Sequence, residues 1–273
     1  MSTESIVAPN PAPAARAPQA LRRVDTHRIT AIASGKGGVG KTWLSITLAH
    51  AMARAGKKVL LFDGDLGLAN VDIQLGLMPE HDLGGVIAAG AELSSAVTSV
   101  GATGFDVVAG KSGSGALSSL TRQEVSALRL GVLELAPRYD HVIVDIGAGI
   151  DATQLILAST GGRVLVVVTD EPTSLTDAYA FIKVVRRLAA RPDLQVVVNM
   201  AGSRLEGERT YATLKRACEN FLKFSPPLAG IVRRDPKVKE AIRYQTPFLV
   251  RHPNADAALD VVGIANSLLQ PGP

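Results

Sequence analysis

The 273 residues suffice for one large domain or two small ones, and 47% hydrophobic against 20% charged residues supplies a sizeable core and excludes wholesale disorder. The single cysteine, Cys218, excludes a disulfide framework, a Cys-rich zinc site or an iron–sulfur cluster held by this chain's own Cys pairs, and the five histidines show no ligand spacing. A net charge of +4 and a pI near 9.3 permit contact with nucleic acid or anionic lipid without demanding it, and no apolar run reaches the ~20 residues of a membrane span.

In chain order, residues 1–24 interleave Pro9, Pro11, Pro13 and Pro18 with alanine and read as a disordered arm ahead of one domain over 25–273. A first strand, Ile29–Ala33, runs into Ser34-Gly35-Lys36-Gly37-Gly38-Val39-Gly40-Lys41-Thr42, and a helical segment Thr42–Ala55 follows. Gly35, Gly40, Lys41 and Thr42 fit G-x-x-x-x-G-K-T, the P-loop pattern. Its glycines let the backbone N–H groups of Gly35 to Thr42, including those of Gly37, Gly38 and Val39, fold around a phosphate at the head of a helix. Lys41 then supplies charge to the β- and γ-phosphates, and the Thr42 hydroxyl is placed to ligate Mg²⁺.

The second strand, Val59–Phe62, leads into Asp63-Gly64-Asp65, and the strand Val142–Ile146 carries Asp145 near its end. Acids at the carboxyl ends of strands beside a P-loop strand suit Mg²⁺ and the attacking water; as isolated residues they read equally as loop or capping acids. Three apolar residues followed by Asp145 form a Walker B-type strand, so Asp145 is expected to hold Mg²⁺ through water, and the glycines 147 and 149 make the next segment flexible. Further strands are expected at Val107–Ala109, Val164–Thr169, Gln195–Asn199 and Ile231–Val232, with helices over Arg122–Leu135, Leu175–Leu188, Gly207–Phe224 and Asp256–Leu269. Continuous apolar strands alternating with helices predict an α/β fold: a doubly wound, mostly parallel sheet flanked by helices, with ligands bound beyond the carboxyl ends of the strands.

The second lysine of the loop, in the wording KGGVGKT, resembles the deviant Walker A motif of the MinD/ParA class of P-loop ATPases. That resemblance implies an ATP-sandwiched homodimer in which Lys36 reaches the partner's phosphates, making Lys36, Lys41 and Asp65 the catalytic set. It assigns Asp65 to the hydrolytic water, Asp63 to the metal shell beside Thr42 and Asp145, and the Gly147 N–H to the γ-phosphate. Asn199 would bond the adenine edge, with Arg233 on the other wall of the base pocket. Trp43 and Thr47 depart from the class, which has small or polar residues and an asparagine there.

The stretches DLGLANVDIQLG (65–76) and DEPTSLTDAYAFIKVV (170–185), with Asp235-Pro236-Lys237-Val238 and Pro247, resemble the FlhG/FleN (YlxH) branch, which regulates flagellar number and placement. This resemblance covers residues 28–270. It implies a slow, partner-stimulated Mg²⁺-dependent ATPase in the cytoplasm, recruited to the inner membrane or pole, with an FlhF-type GTPase, a flagellar transcription activator and basal-body switch proteins as partners. Only Gln19-Ala20-Leu21-Arg22 remains of the branch's N-terminal activating element, and the 256–269 helix bears no Lys or Arg, so stable membrane binding is expected only through partners. The alternative is a partition or division-site ATPase of ParA/MinD type. A basic set, Arg186, Arg187, Arg191, Arg233, Arg234, Lys237, Lys239, Arg243 and Arg251, would support its DNA contact, but reads more simply as solvated charge. A third reading is a nucleotide-bound scaffold that needs no turnover.

Overall fold

The computed structural model describes residues 25–101, 103–110, 116–188 and 192–270. The expected N-terminal arm, its 19–22 element and Arg191 lie outside them. Chain order runs β1 (Ile29–Ala33), α1 (Lys41–Arg54), β2 (Val59–Gly64), α2 (Val71–Leu75), α3 (Leu83–Ala89), β3 (Val97–Val100), β4 (Phe105–Val108), α4 (Arg122–Leu135) and β5 (His141–Ile146). It continues through α5 (Ala152–Ala158), β6 (Arg163–Val168), α6 (Pro172–Val185), β7 (Asp193–Ala201), α7 (Arg204–Leu222), β8 (Leu228–Arg233), α8 (Pro236–Arg243), α9 (Phe248–Arg251) and α10 (Asp256–Leu269).

The strands form one sheet in the order β3-β4-β2-β5-β1-β6-β7-β8, parallel except for the β3–β4 pair. Every residue of β1, β2 and β5 is buried, the mostly apolar segments being covered by helices on both faces, with Thr30, Asp63, His141 and Asp145 as buried polar exceptions. Side chains alternate between two cores. Ile29, Ala31 and Ala33 of β1 join the core under α4, α5, α6 and α7, while Ile32 joins the core under α1 and α10. Chain direction across the sheet reverses at β1, which pairs with β5 on one side and β6 on the other. The loop after β1 therefore opens into the crevice where such sheets bind ligands.

The strand β3 and the short helices α2, α3, α5, α8 and α9 are additions to the expected elements. β3 is an edge strand of sequence VTSV, half exposed and too polar to show as an apolar run. In α3 the pair Gly84-Gly85 reads as a turn, yet the Asp82 side chain caps the helix at the Gly85 N–H (2.8 Å) and Leu83 and Val86 are buried. The helix α10 packs against the sheet through Ala257, Val261, Ile264, Ala265 and Leu268, whereas Leu259 faces outward. Among the described residues no helix is long and apolar enough to cross a membrane.

Two histidines are locked inside this frame. His50 of α1 packs near the Phe105 ring, and His141 opens β5 with its Nε2 3.2 Å from Thr30 Oγ1. Burial, reinforced by Arg54 for His50 and by Arg163 and Arg28 for His141, pushes both pKa values down to about 4. In the unfolded chain the same rings take up protons near pH ~6.5. Their contribution to stability is thus present above that pH and is lost as pH falls towards 4, because only the unfolded state binds the protons. Two-dimensional NMR of the imidazoles should find both still neutral in the folded protein at pH about 5.5; midpoints near 6.5 would contradict the burial described.

Candidate functional site

The loop 34–40 joins β1 to α1. Gly38 and Gly40 take φ of +79° and +85°, a region that side chains disfavour, and Gly40 leaves the α1 N-terminus without a side-chain cap. The first amides of this fourteen-residue helix are therefore available to an anion. The buried Val39 side chain anchors the loop in the core, and its carbonyl accepts the Asn199 Nδ2–H at 2.8 Å. Gly35 meets a different demand. A Cβ there would stand 2.3 Å from the Asp177 backbone, so a glycine is needed for the loop to sit against α6.

Lys41 heads α1 and is 8% exposed. Burial lowers its pKa from the usual lysine value, while the carboxylates of Asp145 and Asp65 act in the opposite direction. Asp145 is buried behind the loop. Its Oδ1 accepts the Ser45 hydroxyl at 2.9 Å, and Oδ2 is buried without a hydrogen-bond partner. Desolvation raises its pKa to about 6 against the pull of the Thr42 hydroxyl, the Lys41 ammonium and Ser45. An orphaned carboxylate oxygen beside Thr42 fits a divalent cation held partly through water. Among the described residues no group of three or more His, Cys, Asp or Glu could hold a metal ion, so such an ion would take most of its ligands from phosphate and water, as Mg²⁺ commonly does.

Asp63, expected in the metal shell, has both carboxylate oxygens engaged by backbone amides. Its Oδ1 accepts the Asp65 N–H and its Oδ2 the Val71 N–H, each at 3.2 Å, so it fastens the 65–71 loop. Burial and the neighbouring Asp145 push its pKa up to about 8. Asp65 faces the cavity, accepts the Leu68 N–H on Oδ1 (3.1 Å), and stands over Gly147. The loop of Gly147 is joined to the P-loop by the bond from Gly149 N–H to Ser34 O (3.0 Å).

These pieces wall a cavity of about 780 Å³, a size suited to a nucleotide. Gly37, Gly38, Gly40, Lys41 and Thr42 lie at one end, Asp65 and Gly147 beside them, and Asn199, Met200 and the 233–242 segment at the other. Lys36 is turned away from it: its ammonium binds Glu171 and, at 2.8 Å, the Thr173 hydroxyl, both at the start of α6. Arg233 lines the cavity, but its guanidinium is committed to the fully buried Asp260 (2.8 Å) and to Asp256 (2.9 Å), so it has little charge to offer a base. Trp43 packs edge-on against Phe248 at 5.2 Å, and the Thr47 hydroxyl turns back to the Trp43 carbonyl at 2.7 Å. Of the basic set, Arg186 bonds the Leu222 carbonyl, Arg234 bonds the Met200 carbonyl and Arg251 binds Glu240, so with Arg233 four members are occupied within the chain.

Sequence reasoning missed Ser45, Gln154 and Met200 at this site. Ser45 was recoverable: it lies one helical turn after Lys41, on the face that must meet the Walker B strand. Ser45→Ala is expected to cost about 1.5–3 kcal/mol of stability in urea unfolding, the usual contribution of a hydrogen bond to a charged acceptor. A change below about 0.5 kcal/mol, typical of an inert position, would contradict the bond's role.

A family model described as the CobQ/CobB/MinD/ParA nucleotide binding domain matches residues 30–248. The chain is similar to the antiactivator FleN of Pseudomonas aeruginosa, 36% identical over 241 residues (88% of this chain, 86% of FleN). It is also similar to the flagellum site-determining protein YlxH of Helicobacter pylori, 29% identical over 249 residues (90% and 84%). Among solved structures, the cell division ATPase MinD of Pyrococcus furiosus superposes with a TM-score of 0.76 at 25% identity, covering 89% of this chain and 98% of that one.

Proposed function

The chain belongs to the CobQ/CobB/MinD/ParA nucleotide-binding family, and from that premise we propose that it is an ATP-hydrolysing dimerisation switch controlling flagellar number or placement. The observation that carries the switch reading is the convergence of Lys41, Asp65 and the Gly147 loop around one nucleotide-sized cavity, with the buried Asp145 charge acting on Lys41 from behind. Similarity to FleN and YlxH over most of the chain supports the flagellar role.

In this reading the amides of residues 35–42 and the Lys41 ammonium bind the β- and γ-phosphates, with Thr42 and Asp145 holding Mg²⁺. When bound, Mg²⁺ neutralises charge on the phosphate oxygens. The Gly147 N–H meets the γ-phosphate, and Asn199, Met200 and the 233–242 segment enclose the adenine. Asp65 orients the water. Phosphoryl transfer depends on such placement and charge stabilisation more than on strong base chemistry. In the free chain Lys36 is held by Glu171 and Thr173. ATP offers it a partner chain's phosphates, and contacts made only in the dimer supply the differential affinity that shifts the population. Hydrolysis, slow until a partner such as an FlhF-type GTPase, a flagellar activator or a basal-body protein engages, resets the cytoplasmic pool.

A second reading, a division-site or partition ATPase, is favoured by the likeness to the Pyrococcus MinD. Deleting the gene in its host and counting flagella by electron microscopy separates the two. The flagellar reading predicts altered number or position, restored by the wild-type chain and not by Lys36→Ala or Asp65→Ala. Normal flagella beside a division or chromosome-segregation defect would overturn it in favour of the second.

A further inference from the structure

Gln154 has no part in the phosphate cradle, yet it faces the same cavity. It sits on α5, whose Leu157 and Ala158 are buried in the core, so a rigid element delivers its side chain. A Cβ on Gly147 would stand 3.1 Å from Asp65 Oδ1 and 3.2 Å from Gln154 Nε2. The carboxylate and the carboxamide therefore flank one small volume over the Gly147 backbone, where the γ-phosphate is read. The other end of the carboxamide, Oε1, is buried with no hydrogen-bond partner. Such an atom in a cavity wall calls for a donor from what binds there. Holding one water in a fixed orientation requires a donor and an acceptor, and at this volume the carboxamide Nε2–H is the donor and the Asp65 carboxylate the acceptor.

We propose that Gln154 positions the attacking water for ATP hydrolysis, acting with Asp65 across Gly147. This rests on the ATPase reading above and names a residue that reading does not use. The water accepts the Gln154 Nε2–H and donates to Asp65 Oδ1, which leaves a lone pair for the γ-phosphorus. Its oxygen forms the new bond to phosphorus, and the bond to the β,γ-bridging oxygen breaks with the electron pair departing on ADP. The proton passes to Asp65 and on to the released phosphate. A neutral carboxamide suits the task because it adds no negative charge beside the γ-phosphate.

Gln154→Met keeps the length and helix preference of the side chain and removes both hydrogen-bonding groups. Three quantities on the full chain test the proposal: affinity for Mg-ADP, affinity for the Mg-ADP–aluminium fluoride complex that mimics the transferring group, and single-turnover hydrolysis of ATP. Affinity for Mg-ADP should stay within about twofold, while fluoride-complex affinity and hydrolysis each fall at least about tenfold. Gln154→Glu, which keeps an acceptor and loses the donor, should also lose hydrolysis and serves if the first variant folds poorly. Unchanged fluoride affinity and rate would overturn the proposal. So would a parallel fall in Mg-ADP affinity, which would make Gln154 a binding or structural residue. A wild-type chain that binds Mg-ADP without hydrolysing ATP would overturn the ATPase reading itself and this inference with it.

Discussion

Lys41 is a buried ammonium at the head of a helix, and its position constrains much of what surrounds it. A charge removed from water must be paired, and the opposing charges come from two different strands: Asp145 on β5 and Asp65 just beyond β2. Those strands are neighbours in the sheet, with Asp63 in register beside Asp145. Three carboxylates and one lysine thus crowd into the crevice beyond β1, and the cluster stays unbalanced. Burial holds Asp63 and Asp145 above the ordinary carboxylate range while it holds Lys41 below the ordinary lysine range. A bound nucleotide with its cation changes every term of that balance, so the loops that carry these groups are the natural moving parts.

Those loops are tied to the rest of the molecule at identifiable points. Asp63 holds the 65–71 loop by two backbone amides, Ser34 holds the 147–149 loop by one, and Asn199 holds Val39. The P-loop is seated on α6 through Gly35, and Lys36 grips the start of the same helix. The P-loop and α6 are thus joined by close packing at Gly35 and by one ion pair.

The sheet's central strands were legible because strands buried on both faces show continuous apolar runs, as in VLLF (59–62) and VIV (142–144). The P-loop was legible for a different reason: anion binding by backbone demands glycines at fixed offsets. The edge strand β3 and the helix α3 were hidden, since VTSV carries little apolar signal and α3 begins Leu-Gly-Gly. Within the site, what a residue type could do was readable, but which partner it had chosen was not. Lys36 reads as a phosphate lysine and is found on Glu171; Arg233 reads as a pocket residue and does line the cavity, but its guanidinium is paired with Asp260. Such pairings join residues far apart in the chain and leave no local pattern. Gln154 was invisible for the same reason, because its neighbours Asp65 and Gly147 meet it only through the fold.

The central claim is that Lys41 and the loop before it form the phosphate site of this chain. Isothermal titration of the full chain with Mg²⁺ and the slowly hydrolysed analogue ATPγS tests it directly. One nucleotide per chain is expected, with affinity falling at least about a hundredfold in Lys41→Ala, since a buried charge facing the phosphates is removed. Equal affinity in the two proteins, or no binding to the wild type, would contradict it.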